Sequence, residues 1–471
     1  MAANYLHGVE TIELNKGPVP VQVVKSAVIG LVGVAPMGPV NTLTVVQNAQ
    51  DAAQFGSPLG GFSIPQAIDA ILKQGGATIL VVNTLDEGDN LVQVTDESLA
   101  ATSGGKTKTE FNPVKTLVVK KSSTVLDLDA DYSVDEYGNI QILDYTVVPE
   151  GTALTASYKK FDETTVGNTQ IIGSLDSGTG VRTGFKLFDL AFNMFGFTPR
   201  IFIAPLYSHK AAIGTEMIAQ AEKFRAHALL DAPQDTRVAA VVTGRGPAGS
   251  VGKFNTSSKR AVLCYPWLKA FDANTEEDVL QPFSQFLAGV IASTDREIGY
   301  WASPSNKEIK GITGVELNLS AAVNDPDTDV NLLNEKGILT IFNSFGTGIR
   351  TWGNRSAAFP TSTKPSNFIC VQRTADIIHE SLELATLQFI DNPLNQATID
   401  SIRETVNSFI RSLIQRGALV DGVCTFDRAK NSPVELAAGH VTFDITFMPP
   451  TPAERITFDS FIDINLLKVL S

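Results

Sequence analysis

The sequence predicts an α/β core interrupted by an inserted all-β domain, then a C-terminal α+β domain, with extended N- and C-terminal arms. Three observations predict it. Apolar strand-like runs alternate with helical segments from Ser26 to Asn83 and again from Arg200 onward, a pattern that implies a mostly parallel or mixed sheet flanked by helices. Between these stretches, residues 91–180 are rich in Thr, Ser, Asp and Lys and carry period-two segments. Beyond residue 359, two amphipathic helices precede three strand-like segments. At 471 residues, 43% apolar and 18% charged, the chain has material for several buried cores.

The expected organisation is an N-terminal arm (residues 1–25), a discontinuous core (26–90 and 181–358), a surface β insertion (91–180), a C-terminal domain (359–453) and a C-terminal arm (454–471). In the core, AVIGLVGVAP reads as a strand, MGPVN as a turn, Ile64 to Gln74 as a helix and TILVVN as a second strand. In the insertion, KTLVVKK, NIQILDYTVV and TALTASYKK alternate between apolar and polar, separated by turns such as Asp135 to Asn139. The core resumes with RIFIAP, a helix from Lys210 to Ala228, strands HALLDAP, RVAAVVT and RAVLCYP, and a helix from Val279 to Ser293.

The segment PTSTKP marks a linker, after which helices are expected over Ala375 to Asp391 and Gln396 to Arg416. In the second, Ile399, Ile402, Val406, Ile410 and Leu413 keep the three-to-four spacing of a core stripe, and Gly417 stands where a helix C-terminus prefers glycine. GVCTFDR, HVTFDITFMPP and ERITFDSFIDINLLKV read as strands. In the last, Ile456, Phe458, Ile462, Ile464 and Leu466 fall on even positions. Val19, Val21 and Val23 alternate likewise near the N-terminus. Chain ends are ordinarily polar and frayed, so two alternating apolar ends point to burial in this chain or a neighbour.

Charge and motifs exclude several function classes. The net charge of −13 argues against nucleic acid as a partner, since phosphate binding needs concentrated basic surface. The N-terminus lacks a basic region followed by an apolar one, and the longest apolar stretch, Ala27 to Pro36, has about half the length of a membrane span. Cys264, Cys370 and Cys424 are odd in number and widely spaced, as expected of core thiols in a reducing compartment. Asp325, Asp327 and Asp329 imitate a calcium loop, but Val330 occupies the glycine position and Lys336 that of the bidentate acid; Asp327 and Asp329 are instead expected to cap a helix. Gly244, Gly246 and Gly249 spell GxGxxG after RVAAVVT, yet the next strand follows too closely for a crossover helix. A nucleotide-dependent oxidoreductase built on GRGPAG is therefore the weaker alternative. The five histidines are scattered, and no GxSxG or HExxH occurs. No catalytic, cofactor-binding or metal-binding residue is assigned.

One stretch separates this chain from a generic α/β protein. NDPDTDVNLLNEKGILTIFNSFGTGIRTWGNR, Asn324 to Arg355, combines a helix-like LLNEK, the strand ILTIF and a turn crowded with glycine, Arg350, Trp352 and Arg355. With YLHGVETIELNKGPVPV, EKFRAHALLDAP, RAVLCYPWLKAFD and WASPSNKEIKGITGV in the same order, it resembles the contractile tail sheath proteins of myovirus-type phages and R-type pyocins. The resemblance spans nearly the whole chain except the insertion. It implies a structural subunit of the virion tail, assembled in the bacterial cytoplasm and stacked as hexameric rings around a tail tube. Terminal arms would add strands to neighbouring copies, and baseplate and tail terminator proteins would be further partners. The sheath of a phage-derived injection or secretion device is the nearest alternative. On this reading Val19, Val21, Val23, Ile456, Phe458, Ile462, Ile464 and Leu466 make the arm contacts. Tube contacts must break on contraction, which suits polar pairs, and the helix bearing Arg373, Asp376, Glu380 and Glu383 is the candidate tube-facing element.

Overall fold

The computed structural model describes residues 21, 23–100, 104–273, 275–344 and 346–470. Eight strands form the central sheet: β1 (Val28–Gly33), β2 (Thr44–Val46), β3 (Thr78–Asn83), β4 (Ile201–Ile203), β5 (His227–Asp231), β6 (Ala261–Cys264), β7 (Ile338–Ser344) and β8 (Gly348–Trp352). Their order is β8-β7-β6-β5-β4-β1-β3-β2, and the six inner strands run parallel while β2 and β8 are antiparallel edges. The helices introduced below are α1 (Ile64–Lys73), α2 (Ala211–Lys223), α3 (Val238–Gly244), α4 (Phe283–Glu297), α5 (Asp329–Glu335), α6 (Ile369–Thr386) and α7 (Gln396–Gln415).

The inner strands are short, mostly apolar runs with both faces buried, as parallel strands between helical layers must be. Period-two geometry sorts its side chains. Val28, Val32, Leu80, Phe202, Leu230 and Leu263 pack with Ile213, Met217 and Ala221 of α2, whereas Ile29, Leu31, Ile79, Ile203 and Val262 meet Ile64, Ile68 and Ile71 of α1 and Phe286, Leu287 and Ile291 of α4. Gly30 permits a close approach in β1, because a Cβ there would lie 2.8 Å from the Phe202 ring.

The N-terminus of α4 is satisfied by Asp231 at the end of β5. Its carboxylate accepts from Ser284 N–H (2.8 Å), Ser284 Oγ (2.5 Å) and Ser208 Oγ (2.7 Å). Complete burial nevertheless raises its pKa to about 6, outweighing these hydrogen bonds. Between the ordinary value of 3.8 and about 6 the native state binds more protons than the unfolded chain, so this group makes stability fall as pH rises through that window. Asp231→Asn is expected to flatten the slope, which amounts to about 3 kcal/mol, and urea denaturation at pH 4 to 7 measures it.

Three elements of the central and C-terminal domains differ from the sequence expectation. RVAAVVT forms helix α3, with Val241 and Gly244 buried, instead of a strand. β5 is already paired on both sides, by β4 and β6, so the sheet offers that segment no edge, and tertiary context overrides valine's β preference. The helix expected from Val279 begins at Phe283, after Pro282, because Glu277–Gln281 pairs antiparallel with Leu268–Asp272. The charged helix, by contrast, begins earlier than expected, at Ile369 instead of Ala375, and ends at Thr386 instead of Asp391.

Within the insertion, Leu91–Ala100, Ala153–Phe161, Pro113–Lys121 and Thr124–Val125 form one sheet, and Lys106–Lys108, Asn139–Ile142 and Tyr132–Val134 form another. Leu99, Val119, Tyr132, Ile140, Leu154 and Tyr158 fill a core of their own. Phe161 stacks on Phe62 of the central domain at 4.2 Å, and Glu136 accepts from Ser57 N–H at 3.1 Å, so the insertion is docked on the core.

Beyond the sheet, α6 and α7 pack through Ile378, Leu382, Val406, Phe409, Ile410 and Leu413. Asn395 caps α7 by accepting from Thr398 N–H at 2.9 Å, and Gly417 at φ +78° ends it. There Ala418 N–H reaches Leu413 O at 2.9 Å and Gly417 N–H reaches Ile414 O at 3.0 Å, the paired bonds of a Schellman end. Strands β9 (Asp421–Thr425) and β10 (Asp444–Met448) form an antiparallel pair against α7.

Candidate interaction surfaces

Much of the charged face of α6 turns toward the central domain. Arg373, Asp376, Glu380 and Glu383 recur at three- and four-residue steps, and each meets a partner on the central domain of the same chain. Arg373 clasps Asp295 of α4 with two 2.6 Å bonds and donates to Ser26 O at 3.0 Å. Asp376 pairs with Arg260, Glu380 with Arg200, and Glu383 accepts two bonds, 2.7 and 2.8 Å, from Arg225. The Arg373–Asp295 and Arg260–Asp376 side chains are at most 5% exposed, so these residues are not available to a tube. Arg373 and Asp376 are thus taken up within the chain and do not fit the tube-facing expectation, whereas the Glu383 side chain remains 60% exposed beside Arg225. The electrostatics match the geometry. Burial lowers the Arg200 guanidinium to about 10, still cationic at neutral pH, while the hydrogen bond from Arg225 lowers the Glu383 carboxyl. His227, fully enclosed beside Arg260 and Arg373, is driven well below its ordinary pKa, first by burial.

Val21 and Val23 pack, partly buried, against the α6–α7 cluster, and Val24 N–H donates to Ser381 Oγ at 3.3 Å. Val19 lies outside the described residues.

The other chain end is uncovered. Ile456, Phe458, Ile462, Ile464 and Leu466 are 70%, 88%, 106%, 76% and 69% exposed, and Phe461 is 89% exposed. The expected strand does not form: among the described residues no strand lies beside it, and a seven-residue 3-10 turn, Ile464–Leu470, stands in its last part. A strand needs a partner for its backbone donors and acceptors. The tail is held at its root, where Arg355 makes a double contact with Glu454 while its guanidinium lies 3.9 Å from the centre of the Phe368 ring.

The β9–β10 pair supplies an asymmetric edge. Asn407 of α7 both accepts from Cys424 N–H (2.8 Å) and donates to Cys424 O (3.0 Å), occupying the outer edge of β9. Among the described residues no strand lies against the outer edge of β10. Two-stranded sheets are marginal alone, and an open edge is a template for pairing.

The motifs weighed in sequence are structural. Gly244 ends α3, so GxGxxG follows a helix here, and a Cβ on Gly249 would meet Gly244 O at 2.1 Å. Arg245, between these glycines, donates to five carbonyls, those of Lys336, Phe254, Thr256, Ala357 and Phe359. Sequence reasoning missed this hub, whose acceptors are spread over a hundred residues. In the acidic run Thr328, rather than an aspartate, caps α5 by accepting from Asn331 N–H at 3.3 Å. Asp329 lies in the first turn and accepts from Ser320, while Asp325 accepts from Asp327 N–H. Among the described residues no three His, Cys, Asp or Glu side chains group as metal ligands, and no helix is long and apolar enough to cross a membrane.

A parallel-sheet core, a docked β insertion and a helical C-terminal unit with an open strand edge define a structural subunit of the contractile-sheath fold. The sheath of an extracellular contractile injection system, PVC, in its contracted state superposes with a TM-score of 0.61 over 99% of this chain and all of that one, at 16% identity. A Desulfitobacterium hafniense sheath tail protein gives 0.52 at 13% identity, covering 89% of this chain and 94% of that one. Family models for the phage tail sheath protein central domain and the phage tail sheath C-terminal domain match residues 180–357 and 361–463. The tail sheath protein of Burkholderia phage BcepMu is 45% identical over all of this chain and 99% of its own length. A putative prophage major tail sheath protein of Pseudomonas aeruginosa is 34% identical, covering 61% of this chain and 71% of its own. The chain belongs to the phage tail sheath family. It is a structural component of a contractile tail, not an enzyme.

Proposed function

We propose that the chain polymerises as stacked hexameric rings around a tail tube, and that contraction of this sheath drives the tube through the host envelope. The reading is carried by two observations together: the apolar side chains of the tail are exposed, and among the described residues no strand covers the outer edge of β10. A tail from a second copy supplies the missing strand, its backbone bonding to β10 while alternate side chains fill pockets. The N-terminal arm that includes Val19 forms the second tether, anchored to its own chain where Val21 and Val23 pack on the α6–α7 cluster. Such links keep copies joined while rigid bodies shift, and the extended lattice stores the free energy that a baseplate trigger releases. The tube, baseplate and tail terminator are its partners, with assembly in the host cytoplasm before incorporation into the virion. A phage particle is favoured over an injection device by the full-length 45% relative. Electron microscopy of the purified protein tests the reading: long hollow tubes are expected, and particles that stay discrete at every concentration and ionic strength overturn it.

A further inference from the structure

Arg245 uses every donor it has. Its Nε donates to Lys336 O at 2.8 Å, its Nη1 to Phe254 O and Thr256 O at 2.6 and 2.5 Å, and its Nη2 to Ala357 O and Phe359 O at 2.8 and 2.9 Å. A guanidinium carries five N–H groups, so none is left over. All five acceptors are main-chain carbonyls, and what the side chain fixes is therefore backbone. Gly337 leaves room for the last of them, since a Cβ there would lie 2.5 Å from Phe359 O. Phe359 connects this hub to the root of the tail. The Arg355 guanidinium lies 4.6 Å from the centre of the Phe359 ring and 3.9 Å from that of Phe368, and its Nε donates to Glu454 at 3.1 Å. Rings against a planar guanidinium set its plane, and the plane sets where its fork of donors points. Arg355 and Phe368 are already joined by a backbone bridge. The other wall of the seat is Phe359, whose carbonyl Arg245 holds.

We propose that Arg245 is a positioning residue for the C-terminal tail: by fixing the Phe359 backbone it shapes the aromatic seat of Arg355, and so the direction in which the chain leaves Glu454. The glycine-rich loop after α3 thereby gains a role that neither nucleotide binding nor packing alone gives it. Lysine could not replace this residue, because three donors on one nitrogen cannot reach five carbonyls. The consequence for assembly rests on the reading that the tail links copies. The positioning itself lies within one chain.

Double electron–electron resonance on the unassembled chain reads the tail's exit directly, with nitroxides on Thr457→Cys and Ala212→Cys, since the native Cys264, Cys370 and Cys424 are buried. Arg245→Met is expected to broaden the distance distribution at least twofold at unchanged circular dichroism, as Glu454→Ala does, and the two together broaden it no further. Arg245→Lys falls between. Phe359→Leu removes the ring but keeps the carbonyl; it is expected to broaden the distribution as well, and it decides the matter should Arg245→Met fail to fold. An unchanged distribution in Phe359→Leu or in folded Arg245→Met overturns the proposal. So does broadening that adds to that of Glu454→Ala, the mark of a general loosening. A broadened tail in chains that still form normal tubes upholds the positioning and counts instead against the tail as the link between copies.

Discussion

Removal of residues 456–471 is expected to leave a folded chain that no longer forms tubes. Each exposed apolar tail side chain yields about 2 kcal/mol when buried, so Ile456, Phe458, Ile462, Ile464 and Leu466 together contribute about 10 kcal/mol before ordering costs. Within its own chain the segment touches little, so its loss should leave the melting curve almost unchanged. Cutting after Arg455 keeps the Arg355–Glu454 contact and therefore tests the tail alone. Negative-stain microscopy beside circular dichroism reads both results. Tubes of normal length from the truncated chain would show that the tail does not link copies.

The second large effect lies at the junction of α6 with the central domain. Arg373→Leu leaves Asp295 ionised and enclosed, at a cost of about 3–5 kcal/mol, because breaking a buried pair strands a charge. The double variant Arg373→Leu/Asp295→Leu should recover most of that loss, since an apolar pair avoids the desolvation penalty altogether. Urea denaturation followed by tryptophan emission is suited to the test, because Trp301 packs against the α6–α7 cluster. Equal destabilisation in the single and double variants would mean that the pair acts through packing and not through charge.

Much of the central sheet was legible because its strands are short apolar runs between glycine- or proline-rich turns. The stripe of α7 was legible too, since Ile399, Ile402, Val406, Ile410 and Leu413 declare one face, and the structure buries all five. The valine-rich segment before Arg245 misled, because β propensity says nothing of whether a sheet has a free edge. The charges of α6 were visible but their direction was not: Arg200, Arg225, Arg260 and Asp295 come from four separate places in the sequence. The C-terminal segment shows the opposite limit. Its alternation reads as a strand, yet among the described residues no strand pairs with it.

The grip of Arg355 on Glu454 fixes where that segment leaves the body of the molecule. Beyond it run seventeen residues of this sequence, which fully extended span at most about 60 Å. If the tail links copies as proposed, that leash length bounds how far two of them separate while remaining tied. Linked neighbours would then slide or rotate within this radius, and lengthening the segment just past Glu454 should widen the permitted travel without altering the body that moves.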